Sequence, residues 1–482
     1  MINYRFLGYI LGLLLLVLSV GMLIPAAVDW GYDNPDWKTF MMSSIATALS
    51  GFILYVNNLG FEKPLSTRDS FLLTTLTWIL ISLYSAFPLF FSSLNLDVTD
   101  AFFESISGLT TTGSTVLTGL DRMPPGILVW RALLQWIGGV GIIVITIVIM
   151  PNLGIGGMRL FYSESSDRSE KPLSRFKTMA AWIALVYLVL TGLCALAYKL
   201  AGMTTFDAVI HSMTTLSTGG YASKDKSFAF FANPTLEWIC TFFMVMGSLP
   251  FILYIRALMG ERALLLKDEQ VRLFLSFLAC TIIFFAVWLC MAHEVSFGEA
   301  IRHSAFNIVS IVTTTGYATT DYNEWGSISI MGFFIFTFMG GCAGSTAGGI
   351  KIFRLKVMFT LIRIQMSRLL HPRAVLVPKL NQQPISDETV QSVLTFFSFY
   401  LFSFCFLALG LSLLGLDFIT SASGAVTAIS NVGPGLGPII GPAGNFASLP
   451  DAAKWLLAFG MLVGRLELFT VLILFTPRFW RE

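Results

Sequence analysis

Four stretches of this 482-residue chain place hydroxyl or amide side chains beside glycine: Thr110-Thr111-Thr112-Gly113-Ser114, Leu216-Ser217-Thr218-Gly219-Gly220, Thr313-Thr314-Thr315-Gly316-Tyr317 and Ser430-Asn431-Val432-Gly433-Pro434. Residues of these types can take a cation out of water. Rings of backbone carbonyls replace a hydration shell without the full charge that would trap the ion. Turning successive carbonyls to one side takes the backbone out of helix and strand geometry, which glycine permits at least steric cost. Neighbouring hydroxyls add oxygens and brace the loop. Aligned on Gly113, Gly219, Gly316 and Gly433, the candidate ligands are Thr111, Thr112, Gly113, Ser217, Thr218, Gly219, Thr314, Thr315, Gly316, Asn431, Val432 and Gly433. One such stretch is an ordinary helix terminator. Four in register make a repeat.

The elements that hold these stretches are apolar. Hydrophobic residues make up 55% of the chain and charged residues 12%, where a soluble domain carries about 25% charged; mean hydropathy is +0.76. Ten apolar runs, at 6–28, 39–61, 70–93, 127–150, 178–200, 235–258, 272–292, 328–350, 391–414 and 452–476, each suit the ~20 residues of a membrane-spanning helix. Each glycine stretch follows a segment too short to cross, at 100–109, 206–215, 298–312 and 418–429. Such lengths predict re-entrant helices whose negative C-terminal dipoles favour a cation. The expected fold is an all-α polytopic membrane protein. Four parallel span–re-entrant helix–span repeats surround a pore with pseudo-fourfold symmetry, preceded by two additional spans. The units are 1–69, 70–177, 178–270, 271–389 and 390–482.

Orientation follows from the basic residues. With both termini in the cytoplasm, the cytoplasmic stretches 151–177, 256–272 and 351–379 hold a large share of the 30 Lys and Arg residues, in line with the positive-inside rule. All four glycine stretches then fall on the outer side. The repeats are parallel, unlike the inverted repeats common in secondary transporters. A net charge of +2 gives no reason to expect nucleic-acid binding. The six cysteines are scattered singly through apolar segments, and no nucleophile–base or metal-ligand spacing predicts an enzyme. The first apolar run reads as a retained span and not a signal peptide. Asp100, Asp207 and Glu299 suit the first turns of short helices, and His211 and His303 suit packing roles within them.

Two further features bear on gating. The eighth run contains Gly340, Gly341, Gly344, Ser345, Thr346, Gly348 and Gly349. Each glycine costs a helix interior ~1 kcal/mol against Ala, so an irregular intramembrane loop is expected there, placed to occlude the pore. Arg465 lies inside the last run, where a cation faces a cavity far more readily than lipid. It is the second gate candidate, an electrostatic barrier beneath the glycine stretches. The glycine cluster at 154–159 fails the dinucleotide-binding spacing at its last position, so no nucleotide site is expected on this chain.

The repeat, the single aligned glycine per copy and the two extra spans resemble the Trk/Ktr/HKT superfamily of cation transporters, closest to the bacterial TrkH-type potassium uptake subunits. The resemblance implies potassium as the bound and transported ion. It also implies a homodimer in the lipid bilayer of the bacterial cytoplasmic membrane, with a pore in each subunit. A cytosolic nucleotide-binding regulatory ring, TrkA-like, is the implied partner. Glycine in all four copies resembles the potassium-selective members, whereas Asn431-Val432 and Pro434 depart from the other copies. An ion-coupled symporter with alternating access is the alternative.

Overall fold

The computed structural model describes residues 2–60, 66–144, 172–261, 263–374, 376–381 and 383–481. The expected end of the fourth span, the basic stretch up to 171 and the cluster at 154–159 lie outside the described residues. The chain is helical, and the two-residue strands Lys379–Leu380 and Gln383–Pro384 form the sheet found among the described residues.

Seven helices in the described residues are long and apolar enough to cross a membrane: Tyr4–Gly31, Trp37–Asn57, Thr67–Phe90, Pro125–Val144, Thr178–Leu200, Glu269–His293 and Asp387–Leu413. The other three expected spans are broken. Ser327–Phe338 stops where the glycine-rich segment begins, and Ile352–Leu370 resumes beyond it, as the glycine count predicts. The remaining two breaks differ from the continuous spans expected at 235–258 and 452–476. Pro234–Gly247 meets Phe251–Leu258 at 91°; Pro250 cannot donate a helical hydrogen bond and disfavours helical geometry in the residue before it. Asp451–Arg465 meets Phe469–Phe475 at 110°, turning where Glu467 and Leu468 both take left-handed φ of 56°. Hydropathy is blind to these bends because both halves stay apolar.

The four short helices are Val98–Leu109, Thr205–Leu216, Phe297–Val312 and Phe418–Ser430. All begin with the same device. The side chains of Asp97, Thr204, Ser296 and Asp417 accept from the backbone N–H of Asp100, Asp207, Glu299 and Thr420, satisfying an orphan donor worth about 1 kcal/mol. Asp100, Asp207 and Glu299 thereby occupy the first turns. Beyond that turn these helices are buried almost throughout, while the spans around them expose Leu, Ile and Phe side chains outward. The first two spans pack tightly on each other through Gly12 and Gly51, where a methyl group on Gly12 would lie 2.7 Å from the Gly51 carbonyl oxygen.

Candidate functional site

The backbone leaves each short helix in the same way. Thr110, Ser217 and Thr313 cap the first three helices. The next residue, Thr111, Thr218, Thr314 or Asn431, takes a left-handed φ of 52°, 51°, 59° or 57°. Two residues on, Gly113, Gly220, Gly316 and Gly433 are again at positive φ. The structural equivalents are therefore Gly113, Gly220, Gly316 and Gly433. This corrects the alignment on Gly219, which instead stands where the other copies carry Thr112, Thr315 and Val432. Ser217 moves with it, from the loop to the helix cap. Hydrogen bonding agrees: Thr112, Gly219, Thr315 and Val432 each donate their N–H to the carbonyl five residues back, on Ser107, Thr214, Ser310 and Thr427.

In this register the copies close a ring. A methyl group on Gly113 would collide with the carbonyl oxygen of Gly219, one on Gly220 with that of Thr315, and one on Gly316 with that of Val432. On Gly433 it would lie 2.9 Å from the Thr112 carbonyl oxygen. The order runs first to second to third to fourth and back to first. Glycine is thus required twice, by φ and by the neighbour's carbonyl. All four of these glycines line one cavity of about 80 Å³, together with Arg131, Lys224, Asp225 and Asn445.

Side chains lock each copy to its neighbour. The Tyr221 hydroxyl donates to the carbonyls of Glu104 and Ser114, at 2.9 and 3.2 Å. Tyr317 reaches the Thr214 hydroxyl in the second helix. The Ser114 hydroxyl donates to the Gly433 carbonyl at 2.8 Å. Between the first two copies lies a buried ion pair, Arg131 Nε to Glu104 Oε1 at 2.8 Å. Arg131 also donates to the Ala222 carbonyl and the Thr115 hydroxyl, and its guanidinium lies 4.0 Å from the centre of the Tyr221 ring. Glu104 accepts further bonds from the Thr115 hydroxyl and the Val116 N–H. The pair is fully hydrogen-bonded, as a buried pair must be. Sequence reading missed both residues, although a Glu inside one short helix and an Arg inside the next span were the available signal.

Beneath the ring runs the glycine-rich loop. Thr346 accepts from the Thr218 hydroxyl at 3.2 Å and donates to the carbonyls of Leu216 and Gly247, at 3.1 and 2.8 Å. The Gly348 N–H donates to the Thr314 hydroxyl at 2.7 Å, and a methyl group on Gly348 would collide with the Ser430 carbonyl. Gly340 N–H bonds back to the Ile350 carbonyl at 3.0 Å, closing the base of the loop. Gly341 packs against Ser248, Gly344 accepts from the Phe251 N–H, and Ser345 donates to the Cys342 carbonyl. Gly349 turns the exit at φ 63°. Arg465 is buried and donates to the Thr346 and Gly138 carbonyls, at 2.9 and 3.3 Å. It thereby ties the loop to the first repeat. Nearby, Lys351 donates to the Ala347 carbonyl and Arg354 pairs with Glu467. These residues border a cavity of about 20 Å³, room for about one water.

The structure thus brings the four glycine stretches, the loop and Arg465 into one assembly. His211 bonds the Asp207 carbonyl at 2.8 Å and packs on Phe228, Phe231 and Tyr317. The Asp225 carboxylate accepts from the N–H groups of Gly119 and Leu120, tying the second copy's outer loop to the first. Among the described residues no group of three or more His, Cys, Asp or Glu side chains is placed to hold a metal ion. The ring's oxygens are carbonyls and hydroxyls, the donor set suited to an alkali cation.

Residues 37–482 match the TrkH family of cation transport proteins. The chain is 47% identical over 474 residues to the Trk system potassium uptake protein TrkI of Halomonas elongata, covering 98% of this chain and 96% of that one. It is 37% identical over 486 residues to TrkH of Escherichia coli K12, covering 100% of both. The crystal structure of the potassium transporter TrkH from Vibrio parahaemolyticus superposes with a TM-score of 0.92 at 36% identity, again over 100% of both chains.

Glu104→Ala should leave Arg131 buried and unpaired, costing about 3–5 kcal/mol. A marked drop in the unfolding midpoint in detergent is expected, whereas Asp121→Ala, which breaks a partly exposed contact with Lys224, should shift it by less than about 1 kcal/mol equivalent.

Proposed function

Because the chain belongs to the TrkH family of cation transport proteins, a family of transporters and not of enzymes, we propose that it takes up potassium across the cytoplasmic membrane through the ring of four loops. The observation that carries this reading is the closed ring itself, with Gly113, Gly220, Gly316 and Gly433 each against the next copy's carbonyl. Such a ring presents carbonyl oxygens from four directions, and four short helices direct their C-terminal dipoles at it. The selectivity filter in this reading comprises Thr111, Thr112 and Gly113; Thr218, Gly219 and Gly220; Thr314, Thr315 and Gly316; and Asn431, Val432 and Gly433. The relatives named as potassium uptake proteins support potassium as the ion.

The gate in this reading is the loop from Gly340 to Gly349 with Arg465. The loop lies across the inner end of the filter, hydrogen-bonded to Thr218 and Thr314, and Arg465 holds it there while adding a positive charge below the filter. A cation leaving the filter meets both a steric and an electrostatic barrier. Regulation would come from a cytosolic nucleotide-binding subunit docked on the basic cytoplasmic stretches. The functional unit would be a homodimer with cytoplasmic termini, one pore per subunit. Uptake by diffusion through a gated pore fits a single rigid filter at one end of the pathway better than alternating access does.

The test is potassium, rubidium and sodium flux through purified protein in liposomes. Wild type should pass potassium and rubidium over sodium, and Gly113→Ser and Gly220→Ser should each cut the potassium-to-sodium ratio about tenfold or more, equivalent to ~1.4 kcal/mol. A wild type without cation flux would sink the proposal.

Replacing 344–349 with a short flexible link should raise potassium flux and uncouple it from regulation. Arg465→Ala should also raise it. Unchanged flux in either folded variant would remove that element from the gate.

A further inference from the structure

The second copy lacks a brace that two others possess. In the first and third copies the hydroxyls of Thr110 and Thr112, and of Thr313 and Thr315, pair at 2.7 and 2.8 Å. Gly219 occupies the matching position in the second copy and offers no hydroxyl to Ser217, which bonds the Thr214 carbonyl at 3.3 Å just as Thr313 bonds the Ser310 carbonyl. The two adjacent glycines, Gly219 and Gly220, leave this copy with the least backbone restraint.

Gln135 fills the gap from the span Pro125–Val144 of the preceding repeat. It is fully buried. Its Nε2 donates to the Gly219 carbonyl at 2.6 Å, and its Oε1 accepts from the Tyr221 N–H at 3.0 Å. The amide thus clamps the peptide groups on both sides of Gly220. A methyl group on Gly219 would overlap this amide, so the missing threonine side chain and the glutamine occupy the same space. Equivalent positions in other repeats show the exchange. Gly138, Gly247 and Gly464 each pack on a carbonyl near the end of their own repeat's short helix, from Leu109, Leu216 and Ile429. Three residues before these glycines stand Gln135, Met244 and Met461. In ring order, the copy that follows Met244 carries Thr315 and the copy that follows Met461 carries Thr112. The copy that follows Gln135 carries Gly219.

Resting on the potassium-filter reading above, we propose that Gln135 is a specificity-determining positioning residue, fixing the direction of the Gly219 carbonyl and so the second quadrant of the filter. A carbonyl oxygen has two lone pairs; one is held by Gln135 and the other remains for the ion. Without the clamp the glycine pair can rotate its peptide groups, and a pliable quadrant closes around the smaller sodium ion.

The experiment is competitive potassium and sodium flux in liposomes for four proteins: wild type, Gln135→Met, Gly219→Thr, and the double variant. Gln135→Met should keep potassium flux but lower the potassium-to-sodium ratio about tenfold, the effect of losing roughly one buried hydrogen bond. Gly219→Thr alone should lower the ratio by overlap with the glutamine amide. The double variant, which installs the threonine–methionine pairing found at two other positions of the ring, should restore most of the lost discrimination. A merely structural role for Gln135 would lower yield or stability without this reciprocal rescue. If Gln135→Met does not fold, Gln135→Leu, apolar and without donor or acceptor, carries the same expectation. A selective wild type with an unaltered ratio in the Gln135 variants, or a double variant no better than the worse single one, overturns the assignment of Gln135. A wild type that passes sodium as readily as potassium overturns the filter reading beneath it.

Discussion

The contact on which the rest of the structure depends is that between each ring glycine and the carbonyl of the next copy. It leaves no room for a Cβ at Gly113, Gly220, Gly316 or Gly433, so the four loops fix one another's positions. No copy can shift alone. Four non-glycine residues sit in left-handed geometry directly below these glycines, a conformation that costs about 1–3 kcal/mol each and persists only where the surroundings over-determine it. The surroundings here do so. Capped short helices deliver the chain to the ring, Tyr221 and Tyr317 pin the second and third copies to the helix before each, and Glu104 with Arg131 fills the space between the first two.

Much of this was legible in the sequence. Four hydroxyl-and-glycine stretches, each after a short segment between longer apolar runs, were enough to place four re-entrant helices around one axis. The five glycines between Gly340 and Gly349 foretold the break in the eighth span, because a helix interior penalises glycine residue by residue. The register of the second copy was hidden by its two glycines, either of which aligns without a gap. The discriminating residue was Tyr221, which matches Tyr317 only when Gly220 is paired with Gly316. The bends at Pro250 and Glu467 were hidden for a different reason. Periodicity and hydropathy record which residues are apolar, and both arms of each bend are. Gln135 stood beside Arg131 as a polar side chain in an otherwise apolar span, and its partners lie 84 and 86 positions away.

The fourth copy shows how a divergent sequence keeps the same backbone. Asn431 replaces threonine at the left-handed position, and Asn tolerates that region better than most residues. Its amide donates to the Thr112 hydroxyl at 3.0 Å and to the Met461 carbonyl at 2.9 Å. Thr218 and Thr314, at the same position, instead turn their hydroxyls to the loop below. The departures at Asn431 and Gly219 are thus met from outside their own copies, by Thr112 and Gln135. The pseudo-fourfold symmetry is a property of the backbone, and the side chains that maintain it differ from quadrant to quadrant.

That asymmetry places the proposed gate. The loop hangs from the second and third copies through Thr218 and Thr314, and Arg465 joins it to the first repeat at Gly138. Releasing it means exchanging a few hydrogen bonds, each worth about 0.5–1.5 kcal/mol net and about 1.5–3 where charged. A coupling free energy of 1–3 kcal/mol, typical of one bound effector, is comparable with part of that sum. The loop's far end passes into Lys351 and the helix Ile352–Leu370, whose Arg354 pairs with Glu467 at the bend of the last span. Glu467 lies two residues beyond Arg465. A movement of the Ile352–Leu370 helix therefore bears on both ends of the loop's anchorage, directly through Lys351 and indirectly through the Arg354–Glu467 pair. A force applied at the Leu370 end of that helix has a short mechanical route to the base of the ring.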